Sequence, residues 1–476
     1  MTKIEALIDK IIQRVNINLR ELEFDVNPYI VNINLKCRLS KFYAFYGITP
    51  YHKLSFKFIH SSLAGSYFLG KSQIDHSVLY KSDIRGDELK SKGTTYKHKN
   101  YEIPVYNDEE IQITDSILIK TLVHNFSHNP ENLEIFYIKN TVSTHFANIH
   151  GSPTEGCFLG PFSTVDLTTI HDCVIGEFSY IQVEDLAHKR VNPGTIKVRY
   201  KNIFDFHYQF SKEILKKYID FDSKNLPVGL FMDFVENRKV DFENIFEVIT
   251  REHSVSIPDN TALDRYAVVR GQTRIGENVL VAQRAYLEDA SLGKGANVQE
   301  NCYIINSQLE GYDITAHGAK IINSRLGENI FVGFNSFVRG KVDKPLIIGD
   351  GCIVMPHTII DLEEPLIIPS GFIVWGYITN KEDLKLNGMP IESFSNIKNE
   401  FKLGSLKFTG NGGIFIDSFK ERIEHILQAN GAFFNTSNND DYGGHAQKNQ
   451  NISFNTIQPY PGGDLKGIYP TMEITP

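Results

Sequence analysis

From Arg274 to Trp375 an aliphatic residue recurs every sixth position for almost the whole length, three such steps make one coil, and glycine follows many of these residues. Together these observations predict a mainly β chain built as left-handed parallel β-helices of hexapeptide repeats, two in number, each followed by a helix. Ile275, Val281 and Leu287 form one set, Leu292, Val298 and Ile304 the next, and Ile275, Leu292, Leu309 and Leu326 fall 17 residues apart. The series runs on through Leu326, Val332 and Val338, then Ile348, Val354 and Ile360, then Ile368 and Val374. A step of six fits neither the 3.6 period of a helix nor an indefinite alternation of two. Each strand therefore gives one aliphatic side chain to the interior, the chain turns, and successive coils stack through parallel hydrogen bonds. Glycine after Ile275, Leu292, Leu326 and Ile348 suits a tight corner, where positive φ carries no Cβ clash. Such coils cannot bury their faces alone, so stability comes from stacked neighbours and caps.

A chain of 476 residues implies more than one domain, and 41% hydrophobic with 22% charged residues is ordinary for a globular protein with a sizeable core. The balance of 49 basic against 57 acidic residues gives a net charge of −8, which supplies no footprint for nucleic acid or an anionic membrane surface. The five cysteines, Cys37, Cys157, Cys173, Cys302 and Cys352, show no CxxC spacing and are expected as reduced thiols. With acidic residues in its first turns and no apolar run of about 18 residues, the chain is expected to be cytoplasmic.

Taken in order, residues 1–50 are expected to form an N-terminal helical cap. Ile4, Leu7, Ile8, Ile11 and Ile12 repeat at helical spacing, so residues 3–22 read as an amphipathic helix packed on the body. Residues 51–200 read as the first β-helix, with a rougher rhythm at Leu69-Gly70, Leu159-Gly160, Val165, Ile175-Gly176 and Ile181. The polar stretch Ser91–Asn107 breaks this rhythm as an inserted loop or extra coil. Residues 201–258 form a helix and linker, the helix marked by Phe206, Phe210, Ile214, Leu215 and Tyr218. The second β-helix occupies 259–380, and a helical segment over 381–430 is marked by Phe415, Phe419, Ile423, Ile426 and Leu427. Residues 431–476 are rich in Asn, Gly, Gln, Ser and Pro, too polar for a core, and are expected to be a disordered tail.

Of the 16 histidines most need no special role, but one group stands apart: His124, then Thr144-His145-Phe-Ala-Asn-Ile-His150-Gly151. The gap of 21 residues from His124 to His145 is about one coil plus a bulge, and the gap of five to His150 is close to one hexapeptide step. His124 and one of the pair therefore approach each other on stacked coils, while the other projects from a different edge.

This arrangement, with Ile84-Arg85-Gly86-Asp87-Glu88 upstream, resembles the γ-class carbonic anhydrases, a branch of the hexapeptide-repeat superfamily. The resemblance covers about 65–220 and rests on His-x-x-x-x-His-Gly and Arg-Gly-Asp-Glu. It implies that His124, His145 and His150 bind zinc or a similar divalent metal at a trimer interface, with His145 coming from the neighbouring subunit. Three imidazoles leave a fourth position for a water whose pKa the metal lowers to about 7, giving a hydroxide that attacks carbon dioxide or a similar small carbonyl substrate. Glu88 would then resemble the family's proton-shuttling glutamate, with Arg85 and Asp87 as a structural ion pair. The chain departs from the family before the first histidine: Ile113 to Lys120 contains no Asn-x-Gln-Asp run, so the water-orienting glutamine is missing.

The second stack resembles the same family at Val268-Val269-Arg270-Gly271 and Asn297-Val298-Gln299-Glu300, but Gln272 stands where aspartate belongs and Ile322 follows His317 by five. It reads as a degenerate copy without metal, serving as scaffold or interface. Two other functions remain open at this point. One is a hexapeptide-repeat acyltransferase using acyl-CoA, with His317 as general base, His171 or His357 behind it, and Glu300 or Asp313 to orient the imidazole. The other is a non-catalytic homotrimeric scaffold.

Overall fold

In the computed structural model, residues 1–33, 39–52, 54–98, 101–126, 135–246, 255–436 and 443–474 are described. They divide into two compact units: Met1–Thr195 with Lys212–Leu230 and Ile452–Pro476, and Ile196–Ser211 with Phe231–Asn451. Each unit is a parallel β-helix of three sheets.

In the second unit the predicted aliphatic residues fall one to each sheet. Leu263, Val281, Val298, Thr315, Val332, Val354 and Val374 stack in register in one sheet. Val269, Leu287, Ile304, Ile321, Val338, Ile360 and Ile378 stack in the next. Ile275, Leu292, Leu309, Leu326, Ile348 and Ile368 complete the triangle. The columns form one continuous buried core.

The glycines after these residues act differently from the sequence expectation. None of Gly276, Gly293, Gly327 and Gly349 has positive φ. They are needed because stacked backbones leave no room: a Cβ on Gly293 would lie 1.9 Å from the Glu310 carbonyl oxygen. The left-handed corners are taken instead by residues such as Asn278, Arg284, Asn301 and Asn335, three of which are asparagines, a residue type that tolerates this conformation.

The helix Gly412–Ala429 of the second unit starts from Asn411, whose side chain accepts from the amides of Gly413 and Ile414, and it buries Phe415, Ile416, Phe419 and Leu427. The helix expected from Phe206 onward begins later. Phe204–Gln209 is a strand paired antiparallel with Leu406–Gly410, and only Lys212–Tyr218 is helical. Phe204, Phe206 and Tyr208 are buried in alternation, a strand period that the helical reading overlooked. Residues 443–451 sit at the first coil, where Ala446 packs on Ala262 and Leu280.

The first unit opens with the helix Lys3–Leu19, held by a capping box between Thr2 and Glu5. Its buried face meets a column of Val78, Ile117, Val142, Phe158 and Val174. Inside, Phe68, Ile84, Val123, Ile149, Val165 and Ile181 stack in register. The stretch Ser91–Asn107 carries the hairpin Thr95–His98 and Tyr101–Pro104. The terminal segment, expected to be disordered, contributes strands: Ser453–Ile457 pairs antiparallel with Ala44–Ile48, and Met472–Ile474 with Phe56–Ile59. These strands use backbone hydrogen bonds of the first coils, which side-chain polarity does not report. Residues 437–442 and Cys37 lie outside the described residues; the other four cysteines are buried and form no disulfide. No helix among the described residues is long and apolar enough to cross a membrane.

Candidate functional site

Residues at one corner of a β-helix stack above one another once per coil. In the second unit the corner after Val281, Val298, Thr315 and Val332 carries Gln283, Glu300, His317 and Phe334. The Asn301 amide donates to the Gln283 carbonyl at 3.4 Å, Gly318 to Glu300 at 2.9 Å and Asn335 to His317 at 3.0 Å. The next residue of each corner is left-handed, with φ of 57° at Arg284, 58° at Asn301, 76° at Gly318 and 50° at Asn335. Gly318 is further required because a Cβ there would lie 2.2 Å from Asn335 Oδ1.

This column joins two side chains. Glu300 Oε2 lies 2.6 Å from His317 Nδ1, with the side chains 1% and 2% exposed respectively. The Phe334 ring covers the imidazole at a centroid distance of 5.3 Å. The Glu300–His317 contact is a close charge approach and not a hydrogen bond of Nδ1; by its charge the carboxylate stabilises the imidazolium formed when the ring takes a second proton. The arrangement suits a general base.

The other orienting candidate is committed elsewhere. Asp313 accepts from the Ile330 amide through Oδ1 at 2.9 Å and from Gly311 through Oδ2 at 3.1 Å. Burial pushes its carboxyl up to about 8 against these bonds, so it is protonated near neutral pH. His357 is fully buried one coil beyond Phe334, and its amide donates to the Phe334 carbonyl at 2.7 Å. His171 lies in the first unit, half-buried beside Tyr137. Lys320, three residues after His317, was not singled out in the sequence; burial pushes its ammonium down to about 8, and Nζ donates to the Gly318 carbonyl at 2.5 Å.

In the first unit Arg85, His124, His150 and Asp166 occupy matching positions on successive strands. The His124 and His150 rings meet edge to face at 5.1 Å. His150 Nδ1 is 2.8 Å from Asp166 Oδ1, and Tyr180 donates to Asp166 Oδ2 at 2.5 Å. Sequence reasoning missed Asp166, although it stands one coil of 16 residues after His150. Glu88 Oε1 is 3.5 Å from His124 Nε2. Arg85 Nε donates to Asp87 Oδ1 at 2.8 Å in a bidentate pair; burial works against the guanidinium charge, and Asp87 more than restores it. His145 is buried at the corner before the strand Asn148–His150. Within this unit it does not join His124 and His150 among the described residues.

A family model described as a hexapeptide repeat including loop matches residues 101–223. No curated protein matches. A crystal structure from Desulfovibrio desulfuricans G20, described as a "putative acetyltransferase", is 52% identical, covers 100% of this chain and 99% of its own, and superposes with a TM-score of 0.92. A hexapeptide transferase family protein from Anaplasma phagocytophilum is 21% identical over 25% of this chain and 80% of its own, with a TM-score of 0.17. A UDP-N-acetylglucosamine acyltransferase from Campylobacter jejuni is 14% identical over 56% of this chain and 70% of its own, with a TM-score of 0.19. The last two scores are too low to carry an argument.

These findings overturn the carbonic anhydrase reading and the lyase class that went with it. The relative that matches from end to end is described as an acetyltransferase, and the missing water-orienting glutamine already marked the departure. The stack expected to be a mere scaffold holds the buried Glu300–His317 pair. Identity of 52% over nearly the full length of both chains places the protein among the hexapeptide-repeat proteins, in the family of the Desulfovibrio desulfuricans chain.

Proposed function

We propose that the protein is an acyltransferase that moves an acyl group from a thioester donor such as acyl-CoA to a hydroxyl or amine of a small-molecule acceptor. The observation that carries this reading is the 2.6 Å approach of Glu300 to His317 Nδ1 in a buried corner. His317 Nε2 takes the acceptor's proton as its oxygen or nitrogen attacks the thioester carbonyl. The tetrahedral adduct then collapses, the C–S bond breaks, and the imidazolium returns the proton to the leaving thiolate. Glu300 offsets the transient charge of the imidazolium. The 52% identical relative, described as an acetyltransferase, supports the same chemistry. The test is release of CoA thiol from acetyl-CoA in the presence of a panel of hydroxyl and amine acceptors. Acceptor-dependent release by the wild type that is lost in His317→Ala supports the reading; equal release by both contradicts it.

A second reading concerns the first unit, where His124 and His150 lie in register and Asp166 supports His150 Nδ1, the carboxylate–histidine pattern common beside metal ligands. His124 and His150, with His145 of a second copy in a homotrimer, fit a divalent ion such as zinc; the bound ion would serve as a Lewis acid or structural clamp. Metal content of the purified protein tests this: loss of bound zinc in both His150→Ala and His145→Ala supports it, and zinc retained by both variants contradicts it.

A further inference from the structure

In the first unit Tyr180 and Asp166 are both 0% exposed, and the phenol reaches diagonally across the sheet to the carboxylate. Tyr180 is in register with Thr164, and Asp166 with His150. Asp166 therefore meets a donor from each neighbouring coil: Tyr180 Oη lies 2.5 Å from Oδ2, and His150 Nδ1 lies 2.8 Å from Oδ1. A carboxylate only accepts, so the hydrogen of the second bond sits on His150 Nδ1 and the lone pair on Nε2. Tyr180 Oη is also 2.9 Å from Gln182 Oε1; with one hydrogen to give, the phenol gives it to the closer, charged oxygen. His150 is itself 6% exposed, and its ring meets that of His124 edge to face.

We propose that Tyr180 is a positioning residue for His150: by holding Asp166 Oδ2 it keeps Oδ1 on His150 Nδ1, so that Nε2 presents its lone pair beside His124. The terminal torsion of an aspartate is broad, and a donor on each oxygen fixes it. The three side chains stand on the strands Asn148–His150, Thr164–Asp166 and Tyr180–Gln182 of successive coils, so the ladder sets their spacing. What the lone pair serves rests on the metal reading of the first unit. The tautomer does not, and its test uses protein stripped of metal, so that it fails or succeeds apart from zinc content.

The experiment is nuclear magnetic resonance on the full-length, metal-stripped protein with ¹⁵N-labelled histidine, the His150 signals being assigned by their loss in His150→Ala. In the wild type the expected signature is a single tautomer, with Nδ1 protonated and Nε2 unprotonated. Tyr180→Phe keeps the ring and deletes only the hydroxyl. In that variant a second set of His150 signals, protonated at Nε2, should appear, while the His171 signals of the same unit stay in place as a control for the fold. A wild type protonated at Nε2, or a folded Tyr180→Phe that keeps the single wild-type tautomer, overturns the proposal. Should Tyr180→Phe not fold, 3-fluorotyrosine placed at position 180 decides, since its more acidic hydroxyl donates more strongly to Asp166. An upfield move of the His150 Nδ1 proton supports the proposal, and an unmoved proton overturns it.

Discussion

Glu300 and His317 lie 17 residues apart, one turn of the coil, and that spacing alone sets the Glu300 carboxylate against His317 Nδ1 at 2.6 Å. The pair is held by the ladder rather than by a loop, since the Gly318 amide donates to the Glu300 carbonyl at 2.9 Å. Such a base is preorganised before substrate arrives. Removing the charge while keeping the shape isolates its contribution. Glu300→Gln should lower kcat for acyl transfer at least about tenfold while leaving KM for acetyl-CoA within about twofold, because the group acts on the imidazole rather than on the donor. Steady-state kinetics of the purified variant provide the check.

Asp313 predicts a pH dependence of stability. Its carboxyl is raised from 3.8 to about 8 by burial, so the folded state retains a proton that the unfolded chain releases above about 4. The contribution is fully present below the unfolded value and is lost as pH rises toward 8. Between about pH 4 and 8, Asp313→Asn should therefore show a stability that falls less steeply with pH than the wild type. Urea unfolding at a series of pH values measures the difference in slope.

Gly293 predicts a steric limit. An alanine Cβ would sit 1.9 Å from the Glu310 carbonyl oxygen, and both backbones belong to stacked coils that cannot give way independently. Gly293→Ala should cost about 3 kcal/mol or more. Gly462→Ala, where nothing lies within 4 Å and φ is not positive, should stay within about 0.5 kcal/mol. Thermal melts of the two variants side by side test the contrast.

The terminal segment predicts a structural role. Tyr469 is 3% exposed, packed in the core of the first unit, and Ser453–Ile457 covers the edge strand Ala44–Ile48. Truncation after Asn451 should expose that edge and promote aggregation, seen as loss of the soluble species in size-exclusion chromatography relative to the full chain.

Much of the fold was legible because the coil imposes one rule on many residues. Ile275, Val281 and Leu287 announced three sheets, and Ile4 to Ile12 announced the first helix, since both patterns are set by burial. The strand Phe204–Gln209 was misread because Phe206 and Phe210, four residues apart, mimic a helical face when Phe204 and Tyr208 are not counted with them. The terminal strands were missed because they are recruited through the backbone, and Asn, Gln and Ser in the sequence say nothing of that. At the site, the 17-residue repeat already aligned Glu300 beneath His317, whereas Asp313, only four residues away, precedes the strand Ile314–Thr315 at the end opposite His317 and bonds to backbone amides. Asp166 escaped notice because the rougher rhythm of the first stack hid its 16-residue coil. The histidine spacing around His124 was read correctly as geometry, whereas the carbonic anhydrase activity taken from the resemblance is overturned, since the same scaffold hosts unrelated reactions.

The central claim is that the buried Glu300–His317 pair drives transfer of an acyl group. The most direct measurement is acetyl-CoA consumption coupled to acetylated-acceptor formation by the wild type, His317→Ala and Glu300→Gln, with folding of each variant verified by circular dichroism. The expected result is product from the wild type, a fall of about 100-fold or more in His317→Ala and an intermediate loss in Glu300→Gln. Product formed by His317→Ala at the wild-type rate would contradict the claim.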